Sequence, residues 1–322
     1  MSLGSSFSEF ISGISPTPTQ RENAISGHRT LRERLQADPD LSSRIVAVFI
    51  QGSYRRATAV RPVNGTRSDV DLVVVTDLPR DRVTPSQALA YFRPFLRRHY
   101  HGKWATRGRS LGIELSRVDL DLVVTSAPSA AHLLRSEFTV DAIDERRASP
   151  AEAAAWKLEP LYIPNRETSR WEPTHPLAQI AWTREKNARC NGYFVHVVKA
   201  IKWWRRTQIN LPKHMKSYPL EHVIGFCCPD GIRSVAEGIT RTFETIAAGF
   251  RPFTMLEKKP ALPAHGVPNQ DVLARVPSSD FLAFVNAAQN AARLARGALS
   301  QLDPRVAALR WRALLGHPFP TP

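Results

Sequence analysis

Cysteine is scarce in this 322-residue chain: Cys190, Cys227 and Cys228 are the only three, none in a Cys-x-x-Cys pair or at zinc-finger spacing from a histidine. They read as buried free thiols rather than a metal site. No apolar run approaches the ~20 residues of a membrane helix. The start, Met1-Ser2-Leu3-Gly4-Ser5-Ser6, lacks the basic-then-apolar pattern of a signal peptide, so a cytoplasmic location without a membrane partner is expected. Internal repeats and low-complexity tracts are absent as well. Acidic residues are outnumbered, 29 Asp and Glu against 44 Lys and Arg, for a net charge of +15 concentrated in Arg93 to Arg109 and Arg184 to Lys216. Such a balance raises the question of a phosphate-bearing partner. With 43% hydrophobic residues, the chain has enough apolar material for a substantial core, in one large domain or two lobes.

The acids that are present are placed tellingly. Asp69-Val70-Asp71-Leu72-Val73-Val74-Val75 reads as a strand, which puts both carboxylates on one face and Val70 and Leu72 on the other. Two carboxylates on a rigid edge can hold a divalent metal. Upstream, Val46-Ala47-Val48-Phe49-Ile50 predicts a buried strand that ends in Gln51-Gly52-Ser53-Tyr54. Gly52 lets backbone amides approach phosphate oxygens, and the Ser53 hydroxyl adds a donor. A Gly-Ser turn or an Asp-x-Asp strand alone is commonplace. In this order and spacing they point to nucleotidyl transfer.

Gly112 to Thr125 alternates polar and apolar residues before turning apolar, predicting a half-buried strand on which Asp119 and Asp121 share a face. Either can complete the acidic set. Asp121 is preferred because it leads directly into Leu122-Val123-Val124-Thr125.

At these residues the chain resembles the cGAS/DncV-like nucleotidyltransferases, whose pattern is Gly-Ser, an Asp-x-Asp strand and a later third Asp. The helix ending Lys202-Trp203-Trp204 and the segment Lys216-Ser217-Tyr218-Pro219-Leu220-Glu221 resemble two further signatures of that family, and the likeness extends over roughly residues 45 to 300. The resemblance implies an α+β architecture: a polymerase-β-like nucleotidyltransferase sheet lobe with a helical C-terminal lobe, bilobed with the active site in the cleft. The expected division is 1–176, the catalytic lobe with an N-terminal spine helix, and 177–322, a helical nucleotide-binding lobe. It further implies that Asp69, Asp71 and Asp121 are catalytic and hold two Mg²⁺ ions, with Mn²⁺ as a substitute. Gly52, Ser53, Lys202 and Ser217 are expected to bind the triphosphate, with Lys199 as the alternative lysine and Tyr218 stacking on the base.

The implied reaction joins NTPs, ATP among them, into a cyclic di- or trinucleotide second messenger for antiviral defence. Some relatives await a regulatory protein. A nucleic-acid activator is less favoured, since some of the lysines already serve the triphosphate and the zinc-binding insertion of the animal DNA sensor has no counterpart here. The alternatives are a terminal RNA, tRNA or small-acceptor nucleotidyltransferase, and a non-catalytic nucleotide- or RNA-binding module. The helical signatures argue against the former, the complete acidic set against the latter.

Elsewhere the pattern predicts a loose Ser-rich start over residues 1–16, an amphipathic helix from Thr17 to about Gln36, and another helix around Gln87 to Tyr100. A Pro-rich crossing follows from Pro128 to Pro176. Further helices are expected over Ile180 to Arg206, Tyr218 to Cys228, Ile232 to Phe250 and Phe281 to Leu299, then a loose tail from His317. Trp203 and Trp204 point about 100° apart on a helix, so core packing is their expected role. His196 and His214 are expected to be structural.

Overall fold

The computed structural model describes residues 3–63, 65–128, 158–208, 210–212, 214–215 and 217–321. Two helices, α1 (Leu3–Ile14) and α2 (Pro18–Ala37), precede β1 (Ile45–Gln51), the single-turn α3 (Gly52–Arg55) and β2 (Ser68–Thr76). After α4 (Pro85–Tyr91) and α5 (Arg93–His99) come β3 (Trp104–Thr106), β4 (Leu111–Glu114) and β5 (Val118–Ser126), then the hairpin of β6 (Leu161–Asn165) and β7 (Arg170–Thr174). The second half is mainly helical: α6 (Pro176–Arg189), α7 (Phe194–Thr207), α8 (Ser217–Cys227), α9 (Val235–Gly249) and the short α10 (Arg251–Met255). A small ribbon of β8 (Pro263–Ala264) and β9 (Val267–Asp271) leads to α11 (Ser278–Leu299) and α12 (Pro304–Leu315).

The main sheet runs β1-β2-β5-β4-β3, with β6 and β7 added beyond β5. Alternation along its central strands feeds two separate cores, because successive side chains leave opposite faces. Val48, Ile50, Val70, Leu72, Val74, Leu120 and Leu122 pack under α2 and α5, while Phe49, Val73, Val75 and Val123 pack on Leu177 and Ile180 of α6. Helix α2 begins with a capping box: the Gln20 amide donates to Thr17 Oγ1 (3.2 Å) and the Thr17 amide to Gln20 Oε1 (2.9 Å).

Several expectations need correction. Residues 3–14 form a helix whose Phe7, Phe10, Ile11 and Ile14 enter the core of the helical lobe. The tail is anchored too: Phe319 is fully buried, edge-on to Phe7 at 5.0 Å, and the unexpected α12 brings Trp311 against the same ring. The helix expected over Ile180 to Arg206 is two helices, broken where Asn191 (φ 54°) and Gly192 (φ 82°) take left-handed conformations. The strand expected over Gly112 to Thr125 is instead the antiparallel pair β4 and β5, closed by a bond from the Leu115 amide to the Val118 carbonyl (3.0 Å). Gln87 to Tyr100 likewise splits into α4 and α5. Of the Pro-rich crossing, residues 158–176 are described, and they carry the β6-β7 hairpin rather than a plain linker.

Candidate active site

Strand β1 ends at Gln51, and the chain turns at Gly52 with φ +76°, which glycine adopts without strain. The one-turn helix α3 is tied to β2 by Tyr54, whose hydroxyl donates to Ser68 Oγ at 2.8 Å, next to Asp69. β2 and β5 run parallel, pairing Asp69 with Asp119 and Asp71 with Asp121. Carboxylate oxygens of Asp69, Asp71 and Asp121 lie within 4.8 Å of one another. Asp119 is drawn away from this group by Arg67, which donates from Nε to its Oδ1 at 2.7 Å. Geometry therefore brings Asp121, and not Asp119, to the acidic pair.

Three carboxylates this close repel one another. Burial, then the Asp121 charge, pushes Asp69 up to about 6. Burial, then Asp69 and Asp121, pushes Asp71 up to about 7. Arg107 partly offsets the excess by donating from Nη1 to Asp121 at 2.8 Å, with Ser110 Oγ donating to the same carboxylate at 3.3 Å. Hard oxygen donors converging under mutual repulsion are what a divalent cation binds, so this donor set fits a metal.

The carboxylates line a cleft of about 610 Å³, and Gly52, Ser53, Lys202, Ser217 and Tyr218 line it as well. All eight expected site residues thus meet at one cavity although they come from both halves of the chain. Lys199, the alternative lysine, does not line this cleft; its ammonium donates to Ser15 Oγ at 3.2 Å on another side of α7. Trp204 is buried in the helical core against Phe243, and Trp203 packs at its margin. Cys190, Cys227 and Cys228 are buried free thiols. His214 sits by Asp280, with Nδ1 2.5 Å from Oδ2.

Lys202 belongs to a buried charge cluster that joins the lobes. Its Nζ donates to Glu221 Oε1 (2.7 Å) and to the Thr58 carbonyl (2.9 Å), while Arg56 Nε (3.2 Å) and Thr58 Oγ1 (2.8 Å) donate to Glu221 Oε2. Burial alone would raise the Glu221 carboxyl, but Lys202, Arg56 and Thr58 together hold it at about 2. Lys202 is lowered as well, which for a base favours the neutral form: burial lowers it, Arg56 and Arg206 add to that, and the shared Glu221 offsets only part. The two directions agree once the charges are counted. One carboxylate serves two cations, with Arg206 beside them, so the cluster carries surplus positive charge at the cleft wall. Lys202 has three donors, two of them engaged by Glu221 and Thr58.

Arg56, Thr58 and Arg206 were missed as site residues by sequence reasoning. The available signal was position, since Arg56 and Thr58 follow Gly52 by four and six residues and Arg206 follows Lys202 by four. The Arg56 guanidinium also lies over the Tyr218 ring, 5.4 Å from its centroid, and His222 meets that ring edge-on at 5.6 Å.

A family model described as the Second Messenger Oligonucleotide or Dinucleotide Synthetase domain matches residues 1–126. The cyclic AMP-AMP-GMP synthase of Enterobacter hormaechei subsp. hoffmannii is 42% identical to this chain, over 100% of the chain and 93% of that protein. The chain belongs to the cGAS/DncV-like nucleotidyltransferases. Members of this family are nucleotidyltransferases that make cyclic oligonucleotides, and this chain is one of them; the reading as a terminal RNA or small-acceptor enzyme is not favoured. The fold agrees. CdnC of E. coli MS115-1, solved with ATP and also in complex with HORMA-deltaN, superposes in the ATP structure with a TM-score of 0.67 at 16% identity, covering 98% of each chain. Bradyrhizobium diazoefficiens CdnG with GTP gives 0.72 at 15%, covering 97% of this chain and 94% of that one. The polymerase-β-like sheet lobe with its helical partner is thus the fold of the family. Among the described residues, no helix is long and apolar enough to cross a membrane.

Proposed function

We infer that this synthase joins ATP and GTP into a cyclic trinucleotide, on the likeness to the cyclic AMP-AMP-GMP synthase. The carrying observation is the convergence of Asp69, Asp71 and Asp121 across one cleft from Lys202, Ser217 and Tyr218. A 2′- or 3′-hydroxyl oxygen bonds to the α-phosphorus of a second nucleotide. The bond from that phosphorus to the α,β-bridging oxygen breaks, and pyrophosphate leaves with the electron pair. In this reading Asp121 accepts the hydroxyl proton. Lys202 and the surplus charge around it hold the triphosphate, Gly52 and Ser53 offer donors to its oxygens, and Ser217 and Tyr218 position the nucleotide. Asp69, Asp71 and Asp121 would hold two Mg²⁺ ions, which when bound neutralise phosphate charge and acidify the attacking hydroxyl. Repetition within one cleft closes the ring.

The messenger serves antiviral signalling in the cytoplasm, and a HORMA-type regulator is a fitting partner, as E. coli CdnC has been solved with one. The test is incubation of the pure protein with labelled ATP, GTP, CTP and UTP, singly and together, with Mg²⁺ or Mn²⁺. Phosphatase-resistant products are then identified by mass spectrometry. The expected result is a resistant ring containing adenine and guanine. Only linear products, or a ring lacking guanine, would overturn the assignment.

A further inference from the structure

A second cavity, larger than the catalytic cleft at about 1090 Å³, opens where α1 packs across α7 and the start of α9. Its lining combines the apolar side chains of Phe7, Ile11, Val235 and Leu299 and the Tyr193 ring with the basic side chains of Arg21, Arg61 and Lys199, and His196. Among the described residues that line it there is no aspartate or glutamate. Arg61 and Lys199 converge on one residue: Arg61 Nε donates to the Ser15 carbonyl and Lys199 Nζ to its hydroxyl, each at 3.2 Å. Ser15 and Lys199 are themselves buried. Cations and apolar side chains in one lining, without a carboxylate among its described residues, favour a negatively charged occupant that also has apolar surface.

We propose that this cavity is a regulatory site for a small organic anion, a flat apolar body bearing a carboxylate, sulfonate or phosphate. The body lies against Phe7, Ile11 and Leu299, and the anionic group faces Arg61 and Lys199. Its route to the reaction is short. The backbone amide of Arg61 donates to Ile14 of α1 at 2.6 Å, and the Arg61 carbonyl accepts from Arg206 Nη1 at 2.7 Å. Arg206 and the flanking Val60 and Pro62 line the catalytic cleft. Lys199 lies one turn before Lys202 on α7. An anion held by Arg61 and Lys199 therefore pulls on two segments that also shape the nucleotide site.

The probe is 8-anilinonaphthalene-1-sulfonate added to the full-length native protein, followed by fluorescence. The expected result is saturable binding at one site, at least tenfold tighter than that of N-phenyl-1-naphthylamine, which has the same body without the sulfonate. Saturating ATP with Mg²⁺ leaves the probe bound, which separates this cavity from the catalytic cleft. Lys199→Met weakens the probe tenfold or more. Ser12→Trp, an exposed lining position on α1 whose indole fills the cavity, abolishes binding while the protein stays folded by circular dichroism. In the synthesis assay the probe shifts the initial rate of the wild type and leaves that of Ser12→Trp unchanged. Displacement by ATP, equal affinity for the uncharged analogue, or undiminished binding by Ser12→Trp would overturn the site. Binding without any change in rate would overturn its regulatory role. The binding measurements do not depend on which product the enzyme makes.

Discussion

A Cβ atom added to Gly52 would fall 1.9 Å from Asp71 Oδ2, far inside contact distance. The phosphate-side turn and the central carboxylate are thus built against each other, and φ +76° at Gly52 adds backbone strain for any other residue. Gly52→Ala is expected to displace Asp71 and lower the rate of synthesis by ~10²-fold, the scale of an ångström-sized misplacement. The check is initial rate alongside a far-UV spectrum; a folded variant with wild-type rate would show that the close approach is immaterial.

Asp69→Ala with Asp71→Ala should cost ~10³-fold or more in rate, because it removes charge stabilisation realised mainly in the transition state. The same acids predict a metal effect on stability. Their folded values, about 6 and about 7, lie above the ordinary carboxylate range, so the folded state binds more protons than the unfolded. Metal-free stability then falls as pH rises from about 4 to about 7. Added Mg²⁺ should raise the Tm more at pH 8 than at pH 5, where protons compete. An equal rise at both values, or one that survives in the double variant, would count against the carboxylates as metal ligands.

Asp119 and Asp121 should part company on mutation. Asp121→Ala is expected to abolish turnover, while Asp119→Ala, which releases a surface pair with Arg67, stays within a few-fold of wild type. Measuring both in one assay decides the third carboxylate.

Glu221→Gln leaves Lys202 and Arg56 buried without their shared counter-ion, and is expected to cost about 3 kcal/mol of stability. The folded carboxyl is depressed to about 2, so its contribution is fully present above the unfolded value near 4.5 and is lost as pH falls toward 2. Urea melts across that window should show the wild type losing stability more steeply than Glu221→Gln. Parallel slopes would refute the buried pair. Lys202→Met should raise the KM for NTP, with a smaller change in kcat.

The two ends of the chain hold the helical lobe together through Phe7, Phe10, Trp311 and Phe319. Phe10→Ala should cost about 3–5 kcal/mol, read from denaturant melts, as expected for a large aromatic ring removed from a closed core. A loss below 1 kcal/mol would mean that α1 docks only loosely.

The chemistry-bearing segments were legible without a structure because each is contiguous and has a strand or turn period of its own. The Asp69 and Asp71 strand, the Gly52-Ser53 turn and the Lys202 and Ser217-Tyr218 signatures all lie in the cleft. The choice of partner within each local set came from tertiary contacts. Asp119 and Asp121 share a strand face, and tertiary contacts part them: Arg67 binds Asp119, while Asp121 sits in register with Asp71 and accepts from Arg107 and Ser110. Lys199 and Lys202 share a helix, and what separates them is Ser15 on one side and Glu221 on the other. Helix α1 carries a helical period of its own, with Phe7, Phe10, Ile11 and Ile14 at i, i+3, i+4 and i+7, which the Ser-rich composition around it obscures. What that apolar face packs against was decided only by the tertiary structure: Trp311 and Phe319 lie at the opposite end of the chain, and a local period shows which face is buried but not its distant partner.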